Sequence, residues 1–292
     1  MSTLDDLLRH GAHGFQHKLG LDPAAARLEA QALAAHALEV TRVWLVAHGR
    51  DRLAGELTDK IEALFRRRCA GEPVAYLIGR REFYGREFQV GPSVLIPRPE
   101  TEHLVEAALT RLLPLSPTPL PKGEGNKISV LDIGTGSGCI AITLKLERPD
   151  LSVTAVDVSP TALSLARANA EALHAEIEFI ESDLFSALAG RRFELIVSNP
   201  PYIPTADEHL SQGDLRFEPK NALASGPDGL DAIRLIIDQA KRHLAPGGWL
   251  LFEHGYDQGE AVQALLKTAG YAEVFLEQDL AGQPRVSGGH LL

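Results

Sequence analysis

Two stretches of the chain hold residues whose types and spacing could do chemistry. The first is Asn199-Pro200-Pro201-Tyr202, which follows the apolar run Phe193 to Ser198 without a break. Two consecutive prolines have no backbone N–H, so they end a central strand and fix the direction in which the chain leaves it. They also leave carbonyl acceptors without neighbouring donors. Asn199 adds a side-chain carbonyl, so two acceptors can converge on one NH2 group, and Tyr202 offers a ring on which a flat group could stack. An amide or aromatic amine is a poor nucleophile because its lone pair is delocalised. Hydrogen bonds to both of its N–H protons favour a pyramidal nitrogen and aim the lone pair at an activated carbon such as a sulfonium methyl, so the protein need supply mainly orientation and electrostatics.

The second stretch is Asp132-Ile133-Gly134-Thr135-Gly136-Ser137-Gly138, placed between an apolar run and a helical pattern. Glycines there permit positive φ and let a ligand approach the main chain closely. The spacing is G-x-G-x-G, and Cys139 stands where a dinucleotide fingerprint would need its last glycine, which weakens a nicotinamide or flavin reading. A tight turn with no ligand would use the same residues. Asp157 ends the next apolar run, where a carboxylate can accept both ribose hydroxyls of an adenosine group, and Ser159-Pro160 can cap the following helix in its stead. After the third run, Asp183 could meet an adenine amino group and Leu184 could cover the ring, although loop and core roles suit both equally well.

Placing these groups together requires a particular scaffold. Short apolar runs at Ile128 to Ile133, Ser152 to Val158, Ile177 to Glu181, Phe193 to Ser198 and Trp249 to Glu253 alternate with helical patterns, one of them near Asp231 to Leu244. That alternation predicts an α/β domain with a mostly parallel sheet, which binds ligands at the carboxyl ends of its strands, where each stretch above falls. Residues 1 to about 75 repeat apolar side chains at helical spacing and predict a small all-helical domain, with Asp22-Pro23 and Thr58 as helix starts, Gly71 and Pro73 as a stop, and Arg66-Arg67-Arg68 as a solvated or dipole-capping run. Residues 82 to 96, broken by Gly85 and Gly91-Pro92, predict a hairpin between the two parts, and the Pro- and Gly-rich segment Leu113 to Lys127 predicts a loop or linker. The domains are accordingly 1–75, a hairpin linker at 76–98, and 99–292.

A net charge of -10 would repel a phosphate backbone, so nucleic acid is not the default partner. Cys69 and Cys139 belong to no CxxC pair, which leaves a disulfide framework or a metal site without support and suggests reduced thiols in a cytoplasmic protein. The chain lacks the apolar segments of a signal peptide or a membrane span, and a soluble monomer is expected.

Taken with Ile96-Pro97-Arg98-Pro99-Glu100-Thr101-Glu102 and Arg216-Phe217-Glu218-Pro219, the two stretches and Asp157 resemble the bacterial peptide chain release factor glutamine methyltransferases, the HemK/PrmC family, over nearly the whole chain. The resemblance implies a Rossmann-like class I methyltransferase domain behind a helical substrate-recognition domain. It implies S-adenosylmethionine as cofactor, S-adenosylhomocysteine as product, and release factors, methylated on the glutamine of a Gly-Gly-Gln loop, as partners. By the same carry-over Gly134, Thr135, Gly136, Ser137, Gly138, Asp157, Asp183, Leu184 and Asn199 contact the cofactor, while Asn199, Pro200, Pro201 and Tyr202 receive the glutamine. Asn-Pro-Pro-Tyr alone is shared with DNA and RNA base amino-group methyltransferases, which stand as the alternative, and a non-catalytic nucleotide-binding module is a more distant one.

Overall fold

The computed structural model describes residues 3–112 and 127–292, so the Pro-rich stretch lies outside the described residues except for Lys127. The chain divides into two compact units, Met1–Arg80 with Ser211–Phe217, and Arg81–Leu210 with Glu218–Leu292.

The first unit is helical: α1 (Leu4–Leu19), α2 (Pro23–Leu38), α3 (Arg42–Ala47), α4 (Gly55–Cys69) and α5 (Val74–Ile78). Its helix starts follow local chemistry. Thr3 and Asp6 form a reciprocal capping box on α1, and Asp22 Oδ1 accepts from the N–H groups of Ala24 and Ala25 ahead of α2. Leu4, Phe15, Leu33, Leu45 and Ile61 are buried together, and the rings of Phe15 and Phe65 meet edge-to-face at 5.4 Å. Gly11 makes room for this pair, since a Cβ there would lie 2.3 Å from the Phe65 ring.

Two expectations are corrected in this unit. Thr58 does not start α4, which begins at Gly55; its hydroxyl donates back to Ala54 O inside the first turn. Nor is Arg68 solvated like Arg66, because its side chain is only 5% exposed. It donates to Glu29 through Nε (2.7 Å) and to Asp214 through Nη1 (2.7 Å), and Arg216 Nη2 donates to Ala70 O beside it. A distant part of the chain thereby supplies the carboxylate that neutralises a buried cation, a pairing that periodicity cannot reveal.

The second unit opens on a hairpin, β1 (Arg80–Phe83) and β2 (Arg86–Gln89), which starts and stops earlier than the expected 82–96. Tyr84 (φ 52°) and Gly85 (φ 71°) are both left-handed, as a two-residue hairpin turn requires. After α6 (Glu102–Arg111) come β3 (Ser129–Ile133), α7 (Cys139–Glu147), β4 (Ser152–Asp157), α8 (Pro160–Ala172), β5 (Glu178–Glu181), β6 (Phe193–Ser198), α9 (Asp231–Ala240), β7 (Leu244–Glu253), α10 (Gly259–Thr268), β8 (Ala272–Gln278) and β9 (Pro284–His290). Their sheet order is β5-β4-β3-β6-β7-β9-β8, parallel throughout except where β9 runs antiparallel to β7 and β8. Apolar layers cover both faces, with Ile140, Leu144 and Val153 in one and Ile133, Ile196, Ile233 and Ile237 in the other. From β3 the chain winds outward through β4 and β5, then returns to pair β6 on the other side of β3. That reversal creates the crevice in which doubly wound sheets bind ligands. No helix among the described residues is long and apolar enough to cross a membrane.

Removing Arg68 takes away the buried group that both Glu29 and Asp214, themselves partly exposed, are bonded to, so Arg68→Ala should destabilise the first unit by about 1 to 3 kcal/mol. Trypsin cleavage after Arg216 should accelerate at the same time. Thermal melts and timed digests check both, and an unchanged digestion rate would mean that residues 211–217 are held by something else.

Candidate active site

At the reversal point β3 and β6 pair in parallel with Ile133 opposite Ser198, so the glycine stretch and Asn199-Pro200 leave the sheet side by side. Ser198 Oγ donates to Ile133 O at 2.8 Å and ties the two strand ends together. One cavity runs from the glycine loop past the ends of β4 and β5 to the end of β6. Gly134, Thr135, Gly136, Ser137, Asp157, Asp183, Leu184, Asn199, Pro200 and Pro201 all line it. Gly138 and Tyr202 are not on its wall. Gly138 (φ 82°) instead serves packing, since a Cβ there would lie 2.9 Å from Ile142 and 3.2 Å from Ala166. The Tyr202 ring packs into the apolar layer under α9, and its hydroxyl donates to Glu253.

The loop around the glycines is held from three directions. Gly134 and Thr135 donate from their backbones to Val156 O, and Gly136 N donates to Asp157 Oδ2 at 2.9 Å. The other Asp157 oxygen accepts from Ser159 N, while the Ser159 hydroxyl caps α8, so Asp157 is not spent as that helix's side-chain cap. Asn169, 1% exposed on α8, donates through Nδ2 to Ser137 O and to Gln89 O, and accepts from Gln89 N. This asparagine binds the hairpin to the loop, and nothing in its local sequence marks it. At Gly134 a Cβ would meet nothing within 4 Å, so the backbone there faces open space that a ligand could fill.

Farther along the cavity, Leu184 has φ 48°, a conformation that costs a non-glycine residue about 1 kcal/mol or more. Ser182 sustains it by donating from its hydroxyl to Leu184 O and accepting from Ala187 N. Past the end of β6 Asn199 Nδ2 donates to Thr101 Oγ1 at 3.1 Å, while Asn199 Oδ1 is buried and without a partner among the described residues. Gln258 Nε2 donates to Tyr202 O, and a Cβ on Gly229 would fall 2.1 Å from that same carbonyl, so the exit from the prolines is tightly fixed. The two family-specific segments also meet: Glu218 accepts from Arg98 and from Ile96 N. Cys139 lines the cavity, but burial pushes its thiol up to about 12, so it is not a nucleophile at neutral pH. Among the described residues no group of three or more His, Cys, Asp or Glu could hold a metal ion.

Comparison with known proteins identifies the family. Residues 6–79 match the family described as PrmC N-terminal domain, and residues 116–216 match that described as Methyltransferase small domain. The chain is 50% identical to the release factor glutamine methyltransferase of Xylella fastidiosa, with 90% of this chain and 92% of the relative aligned. Against the protein of that name from Neisseria gonorrhoeae identity is 48%, covering 94% and 97%. Among solved structures, the hMettl16 catalytic domain in complex with an RNA hairpin superimposes with a TM-score of 0.53 at 17% identity, covering 74% of this chain and 80% of that one. The 16S rRNA methyltransferase RsmC of T. thermophilus, solved with AdoMet and guanosine, gives 0.50 at 22%, covering 73% and 50%. At these identities the likeness shows the fold alone, a Rossmann-like class I methyltransferase domain.

Asp132 sits beneath the loop with no solvent exposure. Its Oδ2 accepts from the Thr135 hydroxyl and Ala141 N, and its Oδ1 has no partner. Burial pushes its pKa from 3.8 up to about 7. The folded chain therefore keeps a proton that the unfolded chain releases, and stability falls as pH rises from about 4 to about 7. Glu253, raised by the same cause, adds to this fall. Urea midpoints at pH 5 and pH 7.5 should differ less for Asp132→Asn than for the wild-type chain; an equal difference would show that Asp132 is ionised throughout.

Proposed function

The chain belongs to the release factor glutamine methyltransferase family, and from that premise we propose that it transfers the methyl group of S-adenosylmethionine to the side-chain amide of the glutamine in a release factor's Gly-Gly-Gln loop. The observation that carries this reading is Asn199 Oδ1, a buried acceptor with no partner, held on the wall of the cavity that the glycine loop opens. An unpaired buried acceptor costs about 1 to 3 kcal/mol, and an incoming N–H donor removes that cost.

The residues present fit the cofactor. Open space over Gly134 suits close approach to the main chain, Asp157 stands where it can accept ribose hydroxyls, and Leu184 offers apolar cover for a base. When bound, S-adenosylmethionine would supply a methyl group on a positively charged sulfur, which needs no metal and no covalent intermediate on the protein. What remains for the chain is orientation. Asn199 Oδ1 would accept one amide N–H and a main-chain carbonyl of the proline turn the other, which confines the nitrogen and directs its lone pair. Neither proline contributes an N–H that could compete for those carbonyls. In this reading the helical unit recognises the folded protein that presents the glutamine, since every residue of the cavity lies outside it.

Two substitutions should separate binding from transfer. Asp157→Ala is expected to weaken S-adenosylmethionine by about tenfold to a hundredfold with a smaller effect on saturated turnover, because ribose contacts are shared by ground and transition states. Asn199→Ala should lower single-turnover methylation by about a hundredfold to a thousandfold, with a smaller loss of cofactor affinity. Calorimetry and mass spectrometry of the methylated peptide read the two effects. A rate within about threefold of wild type for Asn199→Ala would assign the acceptor's positioning to another group.

A chain beginning at Gly79 tests the helical unit. It should methylate a free Gly-Gly-Gln peptide but transfer poorly to an intact release factor. Wild-type rates on the intact protein would remove the recognition role.

A further inference from the structure

Thr101 ends the single helical turn Pro99–Thr101 that runs directly into α6, and its hydroxyl makes no bond to the first turn of α6. Its hydroxyl donates to Glu253 Oε2 at 2.6 Å and accepts from Asn199 Nδ2 at 3.1 Å. Glu253 terminates β7 at 1% exposure, accepts at Oε1 from the Tyr202 hydroxyl at 3.1 Å, and forms no ion pair among the described residues. A carboxyl group buried against two hydroxyls costs folding free energy. Glu253 does not stand where stability alone would put it.

The hydrogen bonds run in one direction along this chain, from Asn199 Nδ2 to Thr101 Oγ1 and from Thr101 Oγ1 to Glu253 Oε2. A hydroxyl carries a single proton, and in this geometry Thr101 gives it to Glu253 Oε2. What Thr101 turns toward Asn199 is a lone pair. Only the NH2 edge of an amide can answer a lone pair, which directs the carbonyl edge the other way, and Oδ1 is indeed the atom left buried and unpartnered. Were the amide reversed, an N–H would face the N–H protons of the group to be methylated and repel them. Tyr202 holds Oε1, so that Oε2 is left for Thr101.

We propose that Thr101 and Glu253 are positioning residues for methyl transfer: the Glu253–Thr101–Asn199 chain of hydrogen bonds selects the carbonyl edge of Asn199 for the acceptor nitrogen. The proposal rests on the amide-transfer function given above. It makes the threonine of the Pro-Arg-Pro-Glu-Thr-Glu segment and the glutamate ending β7 part of the acceptor machinery, acting through their hydrogen bonds to Asn199.

A double-mutant cycle on the full chain tests it, read by single-turnover methylation of a Gly-Gly-Gln peptide at saturating S-adenosylmethionine. Thr101→Val keeps the shape and removes the hydroxyl, and it should lower the rate by about tenfold to a hundredfold while the cofactor dissociation constant stays within about threefold. Thr101→Ser should restore the rate. In an Asn199→Ala background, Thr101→Val should cost less than about twofold more, because the edge being selected is gone. Additive losses in the cycle, or a Thr101→Val rate within about threefold of wild type, would overturn the proposal. If Thr101→Val does not fold, Thr101→Ala is measured in the same cycle and read in the same way. Wild-type protein in the same assay tests the underlying function separately, since absence of transfer there would refute amide methylation itself and leave the relay without a reaction to serve.

Discussion

Pairing of β3 with β6 is the constraint on which the rest of the site depends. These strands are far apart in sequence, yet their parallel register sets Ile133 opposite Ser198 and so puts Gly134 beside Asn199. A register slip by one residue would turn the alternating side chains to the opposite faces and separate the two strand ends. Val130, Leu131, Leu195 and Ile196 prevent that slip, because all four are buried and apolar on both faces of the sheet. Core packing and catalytic geometry are therefore one problem in this protein. The hydrogen bond from Ser198 to Ile133 O fastens the pair where the ladder ends and the chemistry begins.

Around that junction the structure places polar groups where apolar ones would be less costly. Asp132, Asn169, Glu218 and Glu253 are each less than 5% exposed. Most of their hydrogen-bonding capacity is used within the protein, with Asn169 joining hairpin to loop and Glu218 joining Arg98 to the backbone of Ile96. In a low-dielectric interior such bonds are strong when complete and expensive when not, so each group admits few arrangements. Rigidity of this kind suits a reaction that needs orientation more than acid-base chemistry. Asp132 Oδ1 and Asn199 Oδ1 are both buried here without a partner among the described residues, and of the two only Asn199 lines the cavity.

The helical unit obeys a different economy. Its core is built from helix–helix contacts at regular spacing, and its termini are capped by residues adjacent in sequence. The non-local element is Ser211–Phe217, drawn in by the buried Arg68 through Asp214 and by Arg216 through Ala70 O. That segment belongs to the connection that follows Asn199-Pro200-Pro201-Tyr202 in the chain. Any substitution at Arg68 thus acts on a segment that follows Asn199 in the chain without lying in the cavity.

Much of this was legible without coordinates, for a physical reason: glycine, proline and short apolar runs act locally. Glycines marked the loop where positive φ is needed, two prolines marked a strand end, and alternation of strands and helices marked a parallel sheet with its ligand edge. The antiparallel β8 and β9 were not anticipated, since their alternation is interrupted by bulges and by Gly288 and Gly289. Tyr202 shows the limit most plainly. From residue type it offers a ring to the acceptor, but whether the ring faces the cavity depends on Glu253, 51 residues away, which claims its hydroxyl. Likewise nothing near Thr101, Glu253 or Asn169 in the sequence marks their partners, which only the fold brings within reach. The amino-acid sequence by itself determined which backbone conformations and which atoms were available at each strand end. The tertiary structure decided which way each side chain turned and whose hydrogen bond it completed, because those choices depend on groups that are distant along the chain and are settled only when the buried polar atoms are satisfied together.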